Sequence, residues 1–332
     1  MTDNNFKILF AAIVLILLLA FGGSEKPQNV LAPRAEKSKT QSSEDFSTNT
    51  NLPAGQAGLP KKFALADSLG FLGLKQEQNL PVRKDWTLLE PVLNVKSSVA
   101  KDLDSNVDML RFNTGERWAL ASLTKLMSAV VVSEELSLNS SIVITDRAMS
   151  TEGMSGNFIL NEVYSSGDLI KAMLVVSSNR AAIALADSIG TLKFVDKMQM
   201  KANALGMENT AFAEPTGLSF MNQGTVEDLE KLVGYIYENH PELLEISRQK
   251  SVALTELVGG RKNEMLNINA FAHSRPDFFG GKTGFTDQAG GNLITVFEHD
   301  GRKLLYIVLG TDDRFGQTEL LSDWTFNAFT FK

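Results

Sequence analysis

Six of the nine prolines of this 332-residue chain (Pro27, Pro33, Pro53, Pro60, Pro81 and Pro91) fall before residue 92. Proline fixes φ and removes a backbone donor, so a segment this rich in it cannot build helix or sheet ladders. From Ser24 to about Pro60 the remainder is largely Ser, Thr, Asn, Lys, Glu and Gly, with Phe46 the sole aromatic residue. Such a segment buries too little apolar surface to offset its ordering entropy. Residues 24–87 are therefore expected to be a flexible linker, with one short apolar patch, Phe63–Leu74, suited to docking on a domain or a membrane. Ahead of it, Ile8–Phe21 is an unbroken apolar run of fourteen residues after Lys7. That length suits a signal-peptide core and falls short of the roughly 20 residues that span a bilayer. Ala20-Phe21-Gly22 offers small residues for cleavage, while Gly22 and Gly23 would extend an uncleaved span. Residues 1–23 thus read as a signal peptide or an N-terminal membrane anchor. Either implies export to the cell envelope.

The folded part is expected within residues 88–332. Apolar residues make up 43% of the chain and charged ones 21%, enough to supply a core. Leu120–Leu136 reads as a long, buried helix, and Leu169–Val176 and Ala181–Ile189 as two helices around a short polar break. Thr225–Asn239 carries Leu229, Leu232, Val233 and Ile236 at helical spacing. Met109–Phe112 is strand-like, and Leu293–Phe297 and Lys303–Leu309 are two apolar runs joined by Glu298-His299-Asp300-Gly301-Arg302, a hairpin signature. Leu320–Phe329 reads as a closing helix. Strands early and late with helices between them predict an α/β chain of the α+β type, an antiparallel sheet flanked by helices plus a helical lobe.

The charge balance and two scarce residue types narrow the chemistry. A net charge of −7 argues against a nucleic-acid partner. With no cysteine there is no thiolate nucleophile, disulfide or cysteine-bound metal. The three histidines, His240, His273 and His299, are far apart and no His-Glu-x-x-His occurs, so neither a zinc site nor a cofactor is expected. A hydrolase built on this chain needs a base other than histidine.

Three short motifs offer one. Ser122-Leu-Thr-Lys125 places a hydroxyl and an amine three residues apart, hence on one helix face. A buried lysine beside a second cation loses basicity and can take a proton from serine. The same pattern recurs at Ser98–Lys101 and Ser247–Lys250, but only Ser122 is followed by an apolar helix. Ser177-Ser-Asn179 lies in the break between two apolar helices, where a helix cap is the competing explanation. Ser155-Gly-Asn157, Ser137-Leu-Asn139 and Ser47-Thr-Asn49 share its pattern. Lys282-Thr-Gly284 occurs once, among glycines that also suit a plain hairpin turn. On a strand edge it would present a cation, a hydroxyl and an unobstructed backbone to a carboxylate.

In this order and spacing, the motifs resemble those of the serine penicillin-binding and β-lactamase superfamily. The segments Ala121–Met127, Ser177–Ala182, Pro215–Leu218, Thr225–Leu229 and Gly281–Thr286 are most similar to the low-molecular-weight D-alanyl-D-alanine carboxypeptidases, over about residues 92–332. The resemblance implies a β-lactamase/transpeptidase-like fold and removal of the terminal D-alanine from peptidoglycan pentapeptide stems, with β-lactam antibiotics as covalent inhibitors. It implies Ser122 as nucleophile, Lys125 as base, Ser177 as proton relay and Asn179 as the residue orienting Lys125 and substrate. Lys282, Thr283 and Gly284 would receive the substrate carboxylate, and the backbone N–H groups of Ser122 and Phe285 would form the oxyanion hole. The chain departs from the family at Arg180, where an aspartate is usual, and has only 48 residues after Gly284. Three alternatives stand beside this expectation: a D,D-endopeptidase using the same residues, a class A-like β-lactamase with Glu214 activating water, and a catalytically weak wall-binding homologue.

Overall fold

The computed structural model describes residues 80–153 and 155–331. The expected export segment and most of the expected linker, with the Phe63–Leu74 patch, lie outside the described residues. In chain order the elements are β1 (Val82–Arg83), β2 (Ser97–Asp102), β3 (Val107–Phe112), β4 (Trp118–Ala119), a 3-10 turn (Ala121–Leu123), α1 (Thr124–Glu135), β5 (Ser141–Val143) and α2 (Asp146–Ser150). Then follow β6 (Val163–Ser165), α3 (Ser166–Val175), α4 (Asn179–Ile189), α5 (Thr191–Ala204), β7 (Gln223–Gly224), α6 (Val226–Asn239) and α7 (Pro241–Ser247). The chain closes through β8 (Ser251–Thr255), β9 (Lys262–Leu266), α8 (Phe271–Ser274), β10 (Phe278–Thr286), β11 (Gly290–His299), β12 (Arg302–Thr311), α9 (Arg314–Ala328) and β13 (Phe329–Thr330).

Five strands form the main sheet in the order β10-β11-β12-β2-β3, all pairs antiparallel. Its period-two pattern separates two cores. Leu305, Ile307 and Leu309 face the helical lobe and join the interior built by α1, α3 and α4. Leu304 and Tyr306 face the other way and pack on Leu321, Trp324 and Ala328 of α9. The antiparallel sheet and helical lobe expected from the sequence are both present. The lobe centres on α1, in which every residue from Thr124 to Val132 is buried. A helix apolar on all sides belongs in a core, and burying each large aliphatic side chain there contributes roughly 1.5–3 kcal/mol.

Several boundaries differ from the expectation, for physical reasons. The expected Leu120–Leu136 helix opens as the 3-10 turn, because Ala121 adopts φ 48° and regular α-geometry starts only at Thr124. Helix α5 was not evident from periodicity: its buried positions Phe194, Met198 and Ala202 form a stripe only one residue wide. The folded domain also begins before residue 88. Val82 and Arg83 pair with Thr330 and Phe329, and the Arg83 guanidinium lies 4.7 Å from the Trp86 ring and 5.5 Å from that of Trp324. The first turn of the domain is thus held by its last strand, a pairing invisible in local composition.

Candidate active site

The two decoy Ser-x-x-Lys patterns are accounted for locally. Ser98 and Lys101 lie on β2, and Lys101 pairs with Asp108 at 3.0 Å and Glu230 at 3.4 Å. Ser247 ends α7, and its hydroxyl accepts from Gly281 N–H at 2.9 Å. Only Ser122 and Lys125 share a helical turn inside the core.

The turn bearing Ser122 is wedged between two glycines. A Cβ on Gly217 (φ +85°) would fall 1.8 Å from the Ala121 carbonyl oxygen, and one on Gly284 would fall 3.1 Å from the Leu120 carbonyl oxygen. Gly217 admits the turn only because it lacks a side chain, and Gly284 leaves it a close but less exacting fit. Asn292 donates to the carbonyls of Ala119 at 2.8 Å and Leu120 at 3.2 Å, and Leu120 N–H donates to Asn222 O at 2.9 Å. So bounded, the backbone holds a left-handed alanine immediately before the serine. Non-glycine residues in that region carry strain of order 1–3 kcal/mol and persist only where surroundings enforce them.

Lys125 is wholly buried and its Nζ donates to Ser122 Oγ at 2.9 Å, Asn179 Oδ1 at 2.6 Å and the Thr216 carbonyl at 2.6 Å. Burial brings its pKa down from 10.5 to about 7, against an opposing pull from the Glu214 carboxylate. At neutral pH a large fraction of Lys125 is therefore free amine. Asn179 and Thr216 then take its two N–H groups, which leaves its lone pair for the Ser122 hydroxyl.

The polar break between α3 and α4 separates two serines with different roles. Ser178 is the N-cap of α4: its Oγ accepts from Ala181 N–H at 3.2 Å and donates to the Ser155 carbonyl at 2.7 Å. Ser177, in a left-handed conformation at φ 57°, turns its Oγ to accept from Lys282 Nζ at 2.8 Å. The cap explanation thus holds for Ser178, and Ser177 beside it faces Lys282 instead. Asn179 opens α4, with Oδ1 on Lys125 and Nδ2 donating to the Glu152 carbonyl at 2.9 Å. Ser122, Lys125, Asn179, Ser177 and Lys282 come from three separate stretches of sequence and meet in one cluster.

Lys282, Thr283 and Gly284 lie on β10, the edge strand of the main sheet, with Lys282 and Thr283 buried and Phe285 62% exposed beside them. Burial, Lys125 and Arg314, in that order, push the Lys282 amine well below its ordinary value. Arg314, at the start of α9, donates to the Gly284 carbonyl at 2.9 Å. No motif in the sequence marks it. Thr216 lies in the Pro215–Leu218 segment named above, but the sequence marks neither the part played by its backbone carbonyl nor Asn222.

Glu214 corrects one alternative. Its Oε2 accepts from Thr216 N–H at 2.7 Å and Thr216 Oγ1 at 2.6 Å, and its Oε1 from Gly217 N–H at 2.6 Å, Ser219 N–H at 3.3 Å and Asn222 Nδ2 at 2.9 Å. Both oxygens are committed to shaping the loop that carries the Thr216 carbonyl. This is a clamp, without the free lone pair that a water-activating base needs. Arg180 sits on the first turn of α4 and makes no ion pair among the described residues.

Comparison with known proteins agrees with this geometry. Residues 86–313 match the model of a peptidase family, S11, described as D-alanyl-D-alanine carboxypeptidase. The chain is 30% identical over 262 residues to the D-alanyl-D-alanine carboxypeptidase DacA of Haemophilus influenzae, an alignment covering 73% of this chain and 64% of that protein. It is 33% identical over 216 residues to a D-alanyl-D-alanine endopeptidase of Pseudomonas aeruginosa, covering 62% of this chain and 67% of that one. DacA and the DacC carboxypeptidase of Escherichia coli are each matched over 64% of their length. Among solved structures, a D-alanyl-D-alanine carboxypeptidase from Mycobacterium tuberculosis superposes with a TM-score of 0.68 at 25% identity, covering 74% of this chain and 96% of that one. Penicillin-binding protein D2 of Listeria monocytogenes in its ampicillin-bound form gives 0.64 at 29% identity, covering 72% and 100%. With the family match spanning most of the chain and a hydrogen-bonded Ser122–Lys125 pair at its 3-10 turn, this protein belongs to the D-alanyl-D-alanine carboxypeptidase family of serine peptidases.

Proposed function

We propose that this chain is a serine D,D-carboxypeptidase that removes the terminal D-alanine from peptidoglycan stem peptides. The observation that carries the reading is the buried Lys125 amine, 2.9 Å from Ser122 Oγ and titrating at about 7. Neutral Lys125 takes the hydroxyl proton as Ser122 Oγ attacks the D-Ala–D-Ala carbonyl. The backbone N–H groups of Ser122 and Phe285 receive the oxyanion. As the C–N bond breaks, Ser177 relays to the departing D-alanine amine the proton that Lys125 took from Ser122, its hydroxyl held by Lys282 at 2.8 Å. Water then attacks the acyl-enzyme, returning Ser122 and releasing the shortened peptide. Lys282, Thr283 and Gly284 bind the substrate carboxylate, and Arg314 adds positive charge beside them. Asn179 holds Lys125 in register. β-Lactams follow the same first step and stop at the acyl-enzyme, and one solved relative, penicillin-binding protein D2 of Listeria monocytogenes, is seen in both ampicillin-bound and cefotaxime-bound forms.

The substrate lies outside the cytoplasm, so the reading includes export through residues 1–23, with residues 24 to about 80 as the tether to a catalytic domain. A second reading has a specific observation behind it: relatives named D-alanyl-D-alanine endopeptidase are 33%, 29% and 33% identical. In that case the same residues cut a D-alanyl cross-link rather than release free D-alanine.

One experiment tests both. The purified chain is incubated with fluorescent penicillin, then with a pentapeptide ending in D-Ala–D-Ala and with a cross-linked dimer. A stable adduct lost in Ser122→Ala, with D-alanine released from the pentapeptide, is the expected result. Cleavage of the dimer alone transfers the conclusion to the endopeptidase. No adduct, or one that survives Ser122→Ala, refutes the catalytic assignment.

A further inference from the structure

The Asn179 amide has two ends, and only one orientation works. Its oxygen must face Lys125 Nζ, at 2.6 Å, for Lys125 to donate to it; the opposite orientation would set N–H against N–H. The group that decides between the two is the Glu152 carbonyl, which takes the Nδ2 proton at 2.9 Å. Glu152 belongs to the loop between α2 and β6, outside the three motifs. A carbonyl in a loop orients an amide only if the loop itself is held.

This loop is held from its far side by β9 and the turn before it. Asn263 on β9, 4% exposed, donates from Nδ2 to the Gly156 carbonyl at 2.6 Å. Arg261 donates from Nη2 to the Asn157 carbonyl at 2.9 Å, and is itself locked by the Glu162 carboxylate and the Tyr164 hydroxyl. On the near side Ser178 Oγ donates to the Ser155 carbonyl at 2.7 Å. Ser155, Gly156 and Asn157 form one of the decoy Ser-x-Asn triplets, yet what they contribute is three consecutive carbonyls, each taken by a different donor. Gly153 (φ +86°) and Gly156 (φ +110°) are left-handed, and a Cβ on Gly153 would stand 3.1 Å from Asn179 Nδ2. The loop backbone therefore runs directly against the Asn179 amide.

We propose that Asn263, assisted by Arg261, is a positioning residue for the reaction: it fixes the α2–β6 loop so that the Glu152 carbonyl holds the Asn179 amide with its oxygen turned to Lys125. This rests on the reading of Ser122 and Lys125 as nucleophile and base. Among the described residues Asn263 makes no hydrogen bond to Ser122, Lys125 or Asn179, and its effect is transmitted through one loop and one amide.

A double-mutant cycle tests it. In Asn263→Ala, Ser122 acylation by fluorescent penicillin at pH 7 is expected to fall about ten-fold. In an Asn179→Ala background the same change is expected to cost less than about two-fold, because the amide it orients is gone. An equal loss in both backgrounds overturns the proposal, since a merely structural residue acts on either. The second readout is the Lys125 titration followed by NMR. Its midpoint is expected to move to lower pH in Asn263→Ala, as the ammonium loses an acceptor; an unmoved midpoint overturns the inference. That readout needs no turnover, so a wild-type chain that forms no adduct refutes the proposed function and still leaves this inference testable. Should Asn263→Ala fail to fold, Arg261→Met releases the Asn157 carbonyl, and with it the Glu162 carboxylate and the Tyr164 hydroxyl that hold Arg261. It is expected to lower acylation about three-fold, again only when Asn179 is present, with recovery in Arg261→Lys. A loss independent of Asn179, or none, counts against the proposal.

Discussion

Replacing Asn179 by aspartate gives the sharpest test of how Lys125 works. The substitution keeps the shape of the side chain and puts a carboxylate oxygen where the amide oxygen now stands, 2.6 Å from Lys125 Nζ. An opposite charge at that range favours the ammonium form, so the Lys125 pKa rises. Unit charges 4 Å apart at an effective dielectric of 20 interact by ~4 kcal/mol, and partners this close move a pKa by about 1–3. The wild-type value of about 7 would then become roughly 8–10. At pH 7 the free-amine fraction falls from about one half to between ~0.1 and ~0.001. Acylation should therefore slow by some 5- to 500-fold at pH 7 and recover most of that loss by pH 10. The assay is the second-order rate of Ser122 labelling by fluorescent penicillin between pH 5 and 10.5, with the fold checked by circular dichroism at each pH. For the wild type, the rate should climb about ten-fold from pH 5 to 6 and less than two-fold from pH 7 to 8. The aspartate cannot donate to the Glu152 carbonyl, which lowers the whole curve without displacing it, so the midpoint carries the information. A midpoint that stays near 7 in Asn179→Asp, or a wild-type midpoint above 9, would refute Lys125 as the base.

Glu214→Gln removes the charge that holds the Lys125 pKa up, so the acid limb should move to lower pH; it also turns an N–H group toward backbone donors, costing ~1–3 kcal/mol in thermal or urea unfolding. The lifetime of its penicilloyl adduct should not lengthen, as it would if Glu214 activated the deacylating water. Gly217→Ala should lower stability by at least ~3 kcal/mol or prevent folding, since its Cβ would overlap the Ala121 carbonyl at a left-handed position; wild-type unfolding behaviour would show that the turn bearing Ser122 is looser than described. Arg314→Met should raise KM for a pentapeptide about ten-fold with a smaller change in kcat, because it removes one positive charge and the support of the Gly284 carbonyl. A pure kcat effect would place Arg314 in the chemical step instead.

Much of the architecture was legible before any coordinates. The apolar runs Leu293–Phe297 and Lys303–Leu309 lie within β11 and β12, and the periodic Thr225–Asn239 segment matches α6 to within a residue. These elements are read easily because their burial pattern repeats at the period of their own backbone. The boundaries that differ involve long-range partners. β1 exists because β13 is beside it, and the 3-10 turn at Ala121 exists because Gly217 and Gly284 press on it. The same divide runs through the site. Ser122, Lys125, Asn179 and Lys282 could be singled out as residue types in short motifs. Thr216 acts through its carbonyl, which every residue has, and Arg314 acts from a helix that no motif marks.

The sequence by itself determined the kind of chemistry open to this protein. With no cysteine and three scattered histidines, it left lysine as the available base for a serine, and an apolar helix to strip that lysine of solvent. The tertiary structure alone decided which groups of that inventory face each other. Ser177 and Ser178 are identical side by side in the chain, and a left-handed φ at the first turns one to Lys282 while the second caps a helix. Glu214 resembles a water-activating base in the sequence and is a loop clamp in space. The physical reason is that a side chain's chemistry is intrinsic, whereas its solvation, its partners and therefore its pKa come from residues brought to it by the fold.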